Sequence, residues 1–149
     1  MSESHMEGSH MQKSTHQFGP PELVGLISAM NAEAGFPITV LTDKQGLVLA
    51  ASSQAGMNAA RQSAVVAKIR GAADLVARQL DMGVMDEISL FDEDGQRLVC
   101  RPIAMRGEDL ILAVMVPTRG QAYRRSTNKA ITAIRRTWQS RNGRGHTER

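Results

Sequence analysis

Aromatic residues are nearly missing from this chain: Phe18, Phe36, Phe91, Tyr123 and Trp138 make up 3% of 149 residues. That excludes the stacking platforms on which single-stranded nucleic acid is read and the aromatic shelves that bind sugars. Cysteine is just as scarce. Cys100 alone excludes an internal disulfide and any multi-cysteine zinc or iron–sulfur site, and it points to a reducing, cytoplasmic setting. The four histidines, His5, His10, His16 and His146, all fall in segments expected to be tails, so no histidine base or metal ligand is expected in the folded region. No run approaches the roughly 20 apolar residues that cross a bilayer, and the polar first residues lack the apolar stretch of a signal peptide. Neither a G-x-x-x-x-G-K-[ST] loop nor a G-x-G-x-x-G turn after a strand occurs, so the chain is not expected to bind nucleotide itself. No catalytic residue, cofactor site or metal site is expected, and the protein is read as a non-enzyme.

What the chain does have is an ordinary globular balance, 42% hydrophobic and 22% charged, at a length that suits one domain. Residues 1–17 show no apolar periodicity and are set aside as a disordered tail that includes a possible cloning remnant, Gly8-Ser9-His10-Met11. The domain is placed at 18–139 and a basic, disordered tail at 140–149. Pro20 and Pro21 open a helix to about Ala34, with Leu23, Leu26, Ile27 and Met30 on one face and Gly35 as its stop. Phe36 to Thr42 and Leu47 to Ala51 read as a hairpin around Asp43-Lys44-Gln45-Gly46. Asn58 caps a long helix to about Leu80. Asp86 to Asp92, Gln96 to Ala104 and Leu110 to Val116 form a three-stranded meander, and the last of these is apolar throughout, so it is expected to lie centrally with both faces covered. A final helix from about Gln121 to Gln139 sets Tyr123, Thr127, Ala130, Ile131, Ile134 and Trp138 against the core.

Several motifs suggest chemistry and fail on their partners. Asp92-Glu93-Asp94-Gly95 has the flavour of a calcium loop, but Leu90 takes the place of the first ligand and no carboxylate closes the pattern, so a hairpin turn is expected. Ser126-Thr127-Asn128-Lys129 matches S-x-x-K without its K-T-G and S-D-N companions. Ser52 and Ser53 follow a strand but lack a base. Cys100 sits in a strand as a small hydrophobe, with Arg101 on the opposite face.

Two surface features remain. On the long helix, Val65, Val66, Ile69, Ala72, Ala73, Val76 and Leu80 form a broad greasy side suited to lying on a sheet. Ala60, Ala64, Ala67, Gly71 and Leu75 form a narrow stripe nearly opposite, read either as good helix formers facing water or as a seam for a second copy. Beside it, Glu87, Ile88, Ser89, Leu90 and Phe91 are expected to form an edge strand that pairs with its symmetry mate. The charge is asymmetric as well. Arg119, Arg124, Arg125, Lys129, Arg135, Arg136, Arg141, Arg144 and Arg149 face only Glu148 after Thr118, about +8 against about −5 for the remainder of a chain whose net charge is +3. Arg124, Arg125, Lys129, Arg135 and Arg136 are therefore the candidate partner-contact face. An adaptor that binds nucleic acid or an anionic membrane through them is the alternative function.

The order helix, two strands, long helix, three strands, helix resembles the roadblock family of dynein light chains and bacterial GTPase partners. The run Ile38-Thr39-Val40-Leu41-Thr42-Asp43-Lys44-Gln45-Gly46-Leu47-Val48-Leu49-Ala50-Ala51-Ser52 is similar to that family's first hairpin, and the alanine-rich helix, the Asp94-Gly95 turn and the Leu110 to Val116 strand extend the match over Pro21 to Trp138. The resemblance implies an α+β fold with a five-stranded antiparallel sheet, the long helix on one face and the terminal helices on the other. It also implies a homodimer or heterodimer joined through the long helix and the third strand, and the first reading is a homodimeric scaffold that binds and modulates a Ras-like small GTPase. No catalytic residue carries over.

Overall fold

Asp43 sets the first hairpin. Its Oδ1 accepts the backbone N–H groups of Gln45 at 2.9 Å and Leu47 at 3.0 Å, so one carboxylate satisfies the turn between β2 (Ile38–Asp43) and β3 (Val48–Gln54). This computed structural model describes residues 15–147. Before the hairpin come β1 (Thr15–Phe18) and α1 (Pro21–Ala34); after it come α2 (Ala59–Gln79), β4 (Ile88–Phe91), β5 (Arg97–Met105), β6 (Glu108–Val116) and α3 (Arg124–Thr147). The helix ends follow local chemistry. Pro21 starts α1, and Gly35 stops it at φ 79° with its N–H on the Asn31 carbonyl at 2.9 Å. The Asn58 side chain caps α2 by accepting the Arg61 N–H at 2.9 Å, a contact worth about 1 kcal/mol.

The strands form one antiparallel sheet in the order β1-β3-β2-β6-β5-β4. The sheet has six strands where five were expected. The extra one, β1, pairs along β3 from Thr15 opposite Gln54 to Phe18 opposite Ala51, and Gln17 Nε2 donates to Ser28 Oγ of α1 at 2.8 Å. Gly19 makes the turn into α1 possible. It sits at φ 116°, and a Cβ there would stand 2.5 Å from the Leu49 carbonyl oxygen. Residues 15–17 of the expected N-terminal tail therefore belong to the sheet, whereas the possible cloning remnant lies outside the described residues.

The last helix also departs from expectation at both ends. It starts at Arg124 because Gln121 is spent on the preceding loop, its Nε2 donating to the Ala34 carbonyl at 2.9 Å and its Oε1 accepting the Thr118 N–H at 3.2 Å. It runs on to Thr147, through most of the segment expected to be a disordered tail. Arg141 still pairs with Glu22 of α1 at 3.6 Å, and Gly143 and Gly145 weaken the helix by only about 1 kcal/mol each relative to alanine.

β6 lies between β2 and β5 and alternates between two cores. Leu110, Leu112, Val114 and Val116 point to one face, where α1 contributes Leu23, Val24, Ile27 and Met30 and α3 contributes Ala130, Ile131 and Ile134. Ile111 and Ala113 point to the other face, joining Val40, Ala51, Cys100 and, from α2, Val66. The first cluster holds most of the buried apolar side chains. The second is thin, and that difference positions the candidate site.

Candidate functional site

The long helix does not sit on its greasiest side. Side chains advance by about 100° per residue along a helix, and the residues of α2 that are buried against the sheet are Gln62, Ser63, Val66 and Ala77. The polar members are satisfied: Gln62 Nε2 donates to the Ala113 carbonyl of β6 at 3.0 Å, and Ser63 Oγ to the Ala60 carbonyl at 3.0 Å. Arg70 clamps the far half, with Nε 3.2 Å from both oxygens of Asp74 and Nη2 3.5 Å from Asp109 of β6. Polar anchors thus hold the seat, and the apolar residues are rotated toward β4. Val65 and Val76 are exposed, the latter to 48%, while Ile69 and Ala73 are half-buried on the same flank.

That flank meets an open strand. β4 pairs with β5 on one edge, and no strand among the described residues pairs with the other. Between β4 and α2 runs an apolar groove of about 420 Å³, lined by Ile69, Ala72, Val76, Met82, Met85, Ile88 and Leu90. Leu90 is 55% exposed, and Val84, in the loop after α2, is 94% exposed. An exposed apolar surface of this continuity, beside unpaired backbone donors and acceptors, has the character of a protein-docking surface.

The expected seam is divided by this geometry. Ile88, Ser89 and Leu90 line the groove together with Glu87. Ala60, Ala64 and Gly71 lie exposed on the flank of α2 that turns away from β4, and Ala67 packs over the first hairpin, where a Cβ on Gly46 would stand 3.3 Å from its own Cβ. Leu75 is exposed on the outer crest. Phe91 is turned to the opposite side of its strand, with the Arg97 guanidinium 4.3 Å and that of Arg119 5.2 Å from its ring. The residues missed were Val65, Ile69, Ala72 and Val76. They were visible as apolar positions but were assigned to the sheet.

The candidate basic face is partly neutralised. Arg124 Nη1 lies 2.9 Å from Asp86 and 2.7 Å from Glu87, Lys129 Nζ lies 4.0 Å from Glu33, and Arg125 and Arg136 are exposed on the same helix. Arg135 is half-buried. Glu87 also accepts from the Tyr123 hydroxyl and, at 2.7 Å, from Ser89 Oγ. Burial alone pushes the Glu87 carboxyl up, but the bonds from Tyr123, Ser89 and Arg124 outweigh it and hold the group below its ordinary value of 4.5. Burial and the bond to Glu87 push the Tyr123 hydroxyl up.

Arg101 is the polar residue least visible in the sequence. It is 5% exposed on β5, on the face opposite Cys100, and is held by neutral acceptors: Thr127 Oγ1 at 2.7 Å, Asn128 Oδ1 at 2.8 Å and the Asp86 carbonyl at 3.4 Å. Burial, then the nearby Arg124 charge, push its guanidinium down. Its bonds occupy Thr127 and Asn128 of the S-x-x-K run. Cys100 is buried, and desolvation pushes its thiol up to about 11, the protonated and unreactive side of thiol chemistry. Asp92 to Gln96 is a turn closed by Asp92 Oδ1 on the Gln96 N–H at 2.8 Å.

No protein-family profile and no curated protein matches the sequence. Solved structures do. Myxococcus xanthus MglB superposes with a TM-score of 0.68 at 14% identity, over 80% of this chain and 97% of that one. The gliding protein MglB from Thermus thermophilus gives 0.65 at 20% identity, over 80% and 91%. A Roadblock-type domain from Streptomyces avermitilis gives 0.61 at 17% identity, over 76% and 95%. The fold is of the roadblock type, an α+β arrangement with three helices and, in this chain, a six-stranded antiparallel sheet.

Proposed function

We propose that this chain is a non-enzymatic, homodimeric platform that binds and modulates a Ras-like small GTPase. The observation that carries the reading is the apolar groove in which Ile69, Ala72 and Val76 of α2 meet Ile88 and Leu90 of the open strand β4, with Val65 exposed farther along α2. Two copies related by a two-fold axis bury both features at once, because the β4 edges pair antiparallel and extend the sheet while the α2 flanks pack across the axis. The roadblock-type fold supports the same use, since the family that this sequence resembles works as dimers on small GTPases. The partner supplies nucleotide and magnesium. This reading uses the flank of α2 that faces β4 in place of the Ala60, Ala64, Ala67, Gly71, Leu75 stripe nearly opposite it, together with Ile88, Ser89 and Leu90.

A nucleic-acid or membrane adaptor draws less support, because Arg124, Lys129 and Arg141 are already paired with carboxylates of the same chain. Affinity capture from a lysate of the native cell, at about 150 mM salt to screen loose charge contacts, with one arm in a GTP analogue and one in GDP, tests the function. A small GTPase recovered in one arm supports it. Its absence from both arms, or recovery only of nucleic acid or lipid that higher salt removes, overturns it.

A further inference from the structure

The open strand is tied to the start of α3 by polar groups and by one cation–aromatic stack, the Arg97 guanidinium lying 4.3 Å from the Phe91 ring and 5.2 Å from the Tyr123 ring. On the α1 and α3 side of the sheet the apolar core contains no residue of β4. The polar ties there are Arg124 on the carboxylates of Asp86 and Glu87, Tyr123 on Glu87, and Arg101 bridging the Asp86 carbonyl to Thr127 and Asn128. Each of these hydrogen bonds and ion pairs joins Asp86 or Glu87, just before β4, to the first turn of α3 or to Tyr123 immediately before it. β4 itself has four residues and, among the described residues, a single strand neighbour. A short strand held in this way has a low cost of local opening compared with the centre of the sheet.

We propose that Asp86, Glu87, Tyr123 and Arg124, with Arg101 beneath them, form a latch that couples the first turns of α3 to the position of the β4 edge. Arg124 is the shared element. It belongs to the basic face and is also the cation that neutralises Glu87, so a carboxylate on a binding partner that takes Arg124 withdraws it from Asp86 and Glu87 and loosens β4. Linkage runs both ways: whatever fixes β4 in place keeps Arg124 engaged and less available to such a partner. Tyr123 and Arg101 are positioning residues here, acting through Glu87 and the Asp86 carbonyl. The consequence that loosening β4 weakens pairing between copies rests on the dimer reading above; the latch itself does not.

Residue-resolved hydrogen exchange on the full chain tests the latch, at a concentration where sedimentation shows a single species, so that the presence or absence of a dimer does not affect the reading. Arg124→Ala is expected to raise exchange at the β4 backbone amides about tenfold, the scale of a local opening change, and to leave β2 and β6 unchanged. Glu87→Gln is expected to do the same more weakly. Arg136→Ala, which removes a cation from the same helix but touches neither carboxylate, is expected to leave β4 unchanged. Exchange at β4 within twofold of the parent chain for both Arg124→Ala and Glu87→Gln would overturn the proposal, as would an increase spread evenly over the sheet.

Discussion

The two faces of the sheet are built to different degrees of completion. Under α1 and α3 the apolar residues of β5 and β6 interdigitate with Leu23, Ile27, Ile131 and Ile134, and Trp138 and Tyr123 close the rim. Under α2 the buried set is small, the helix is seated partly by Gln62 on the Ala113 carbonyl and Arg70 on Asp109, and Val65, Val76 and Leu90 stay exposed. The first face accounts for the fold of one chain. The second leaves apolar surface that one chain does not cover, and that surplus carries the functional reading.

The sharpest contrast comes from truncating the finished face. Leu112→Ala should cost about 3 kcal/mol, within the range for a fully buried leucine, and should leave the assembly mass unchanged; chemical denaturation with light scattering reads both. Arg101→Met comes next, at about 1–3 kcal/mol, because Thr127, Asn128 and the Asp86 carbonyl lose their donor. Arg101→Lys should restore little of that, since an ammonium lacks the fork that spans three acceptors. A smaller effect follows from Glu87. Its carboxyl is held below 4.5 in the folded chain, so its stabilising contribution is complete above that pH and disappears as pH falls through the lower folded value. The stability gap between the parent chain and Glu87→Gln should therefore be widest near neutrality and close on acidification below 4.5. An unchanged gap down to pH 3 would separate Glu87 from its partners. The smallest effect is expected on the unfinished face, where Val76→Ser should change the stability of the dilute single chain by no more than about 0.5 kcal/mol. A loss like that of Leu112→Ala would mean that α2 is already packed and has no surface to spare.

Most of the architecture was legible because local signals and burial agree. Gly35, Asn58, the Asp43 turn and the continuous apolar run of β6 each have one physical reading, and each lies where that reading puts it. β1 was not legible, since Thr15-His16-Gln17 carries no alternation and its order comes from β3 and Ser28, contacts distant in the chain. The site was half legible. Hydrophobicity on α2 peaks between the direction of the sheet and the direction of β4, because polar residues with hydrogen bonds, Gln62 above all, share the seat. A periodicity argument assigns that whole arc to the core and passes the partner role to the alanine stripe. Arg101 was invisible for a related reason, since a buried arginine is recognised by its acceptors on α3 and not by its neighbours in sequence.

The most direct measurement compares two bulky charges one face apart. Light scattering on Ala72→Arg and Ala64→Arg, beside the parent chain at matched concentration, places the charge first in the α2–β4 groove and then on the alanine stripe. The account predicts a parent mass of twice 16.2 kDa, preserved in Ala64→Arg and halved in Ala72→Arg. A parent chain that runs as a monomer, or a dimer that survives Ala72→Arg and breaks with Ala64→Arg, would contradict it.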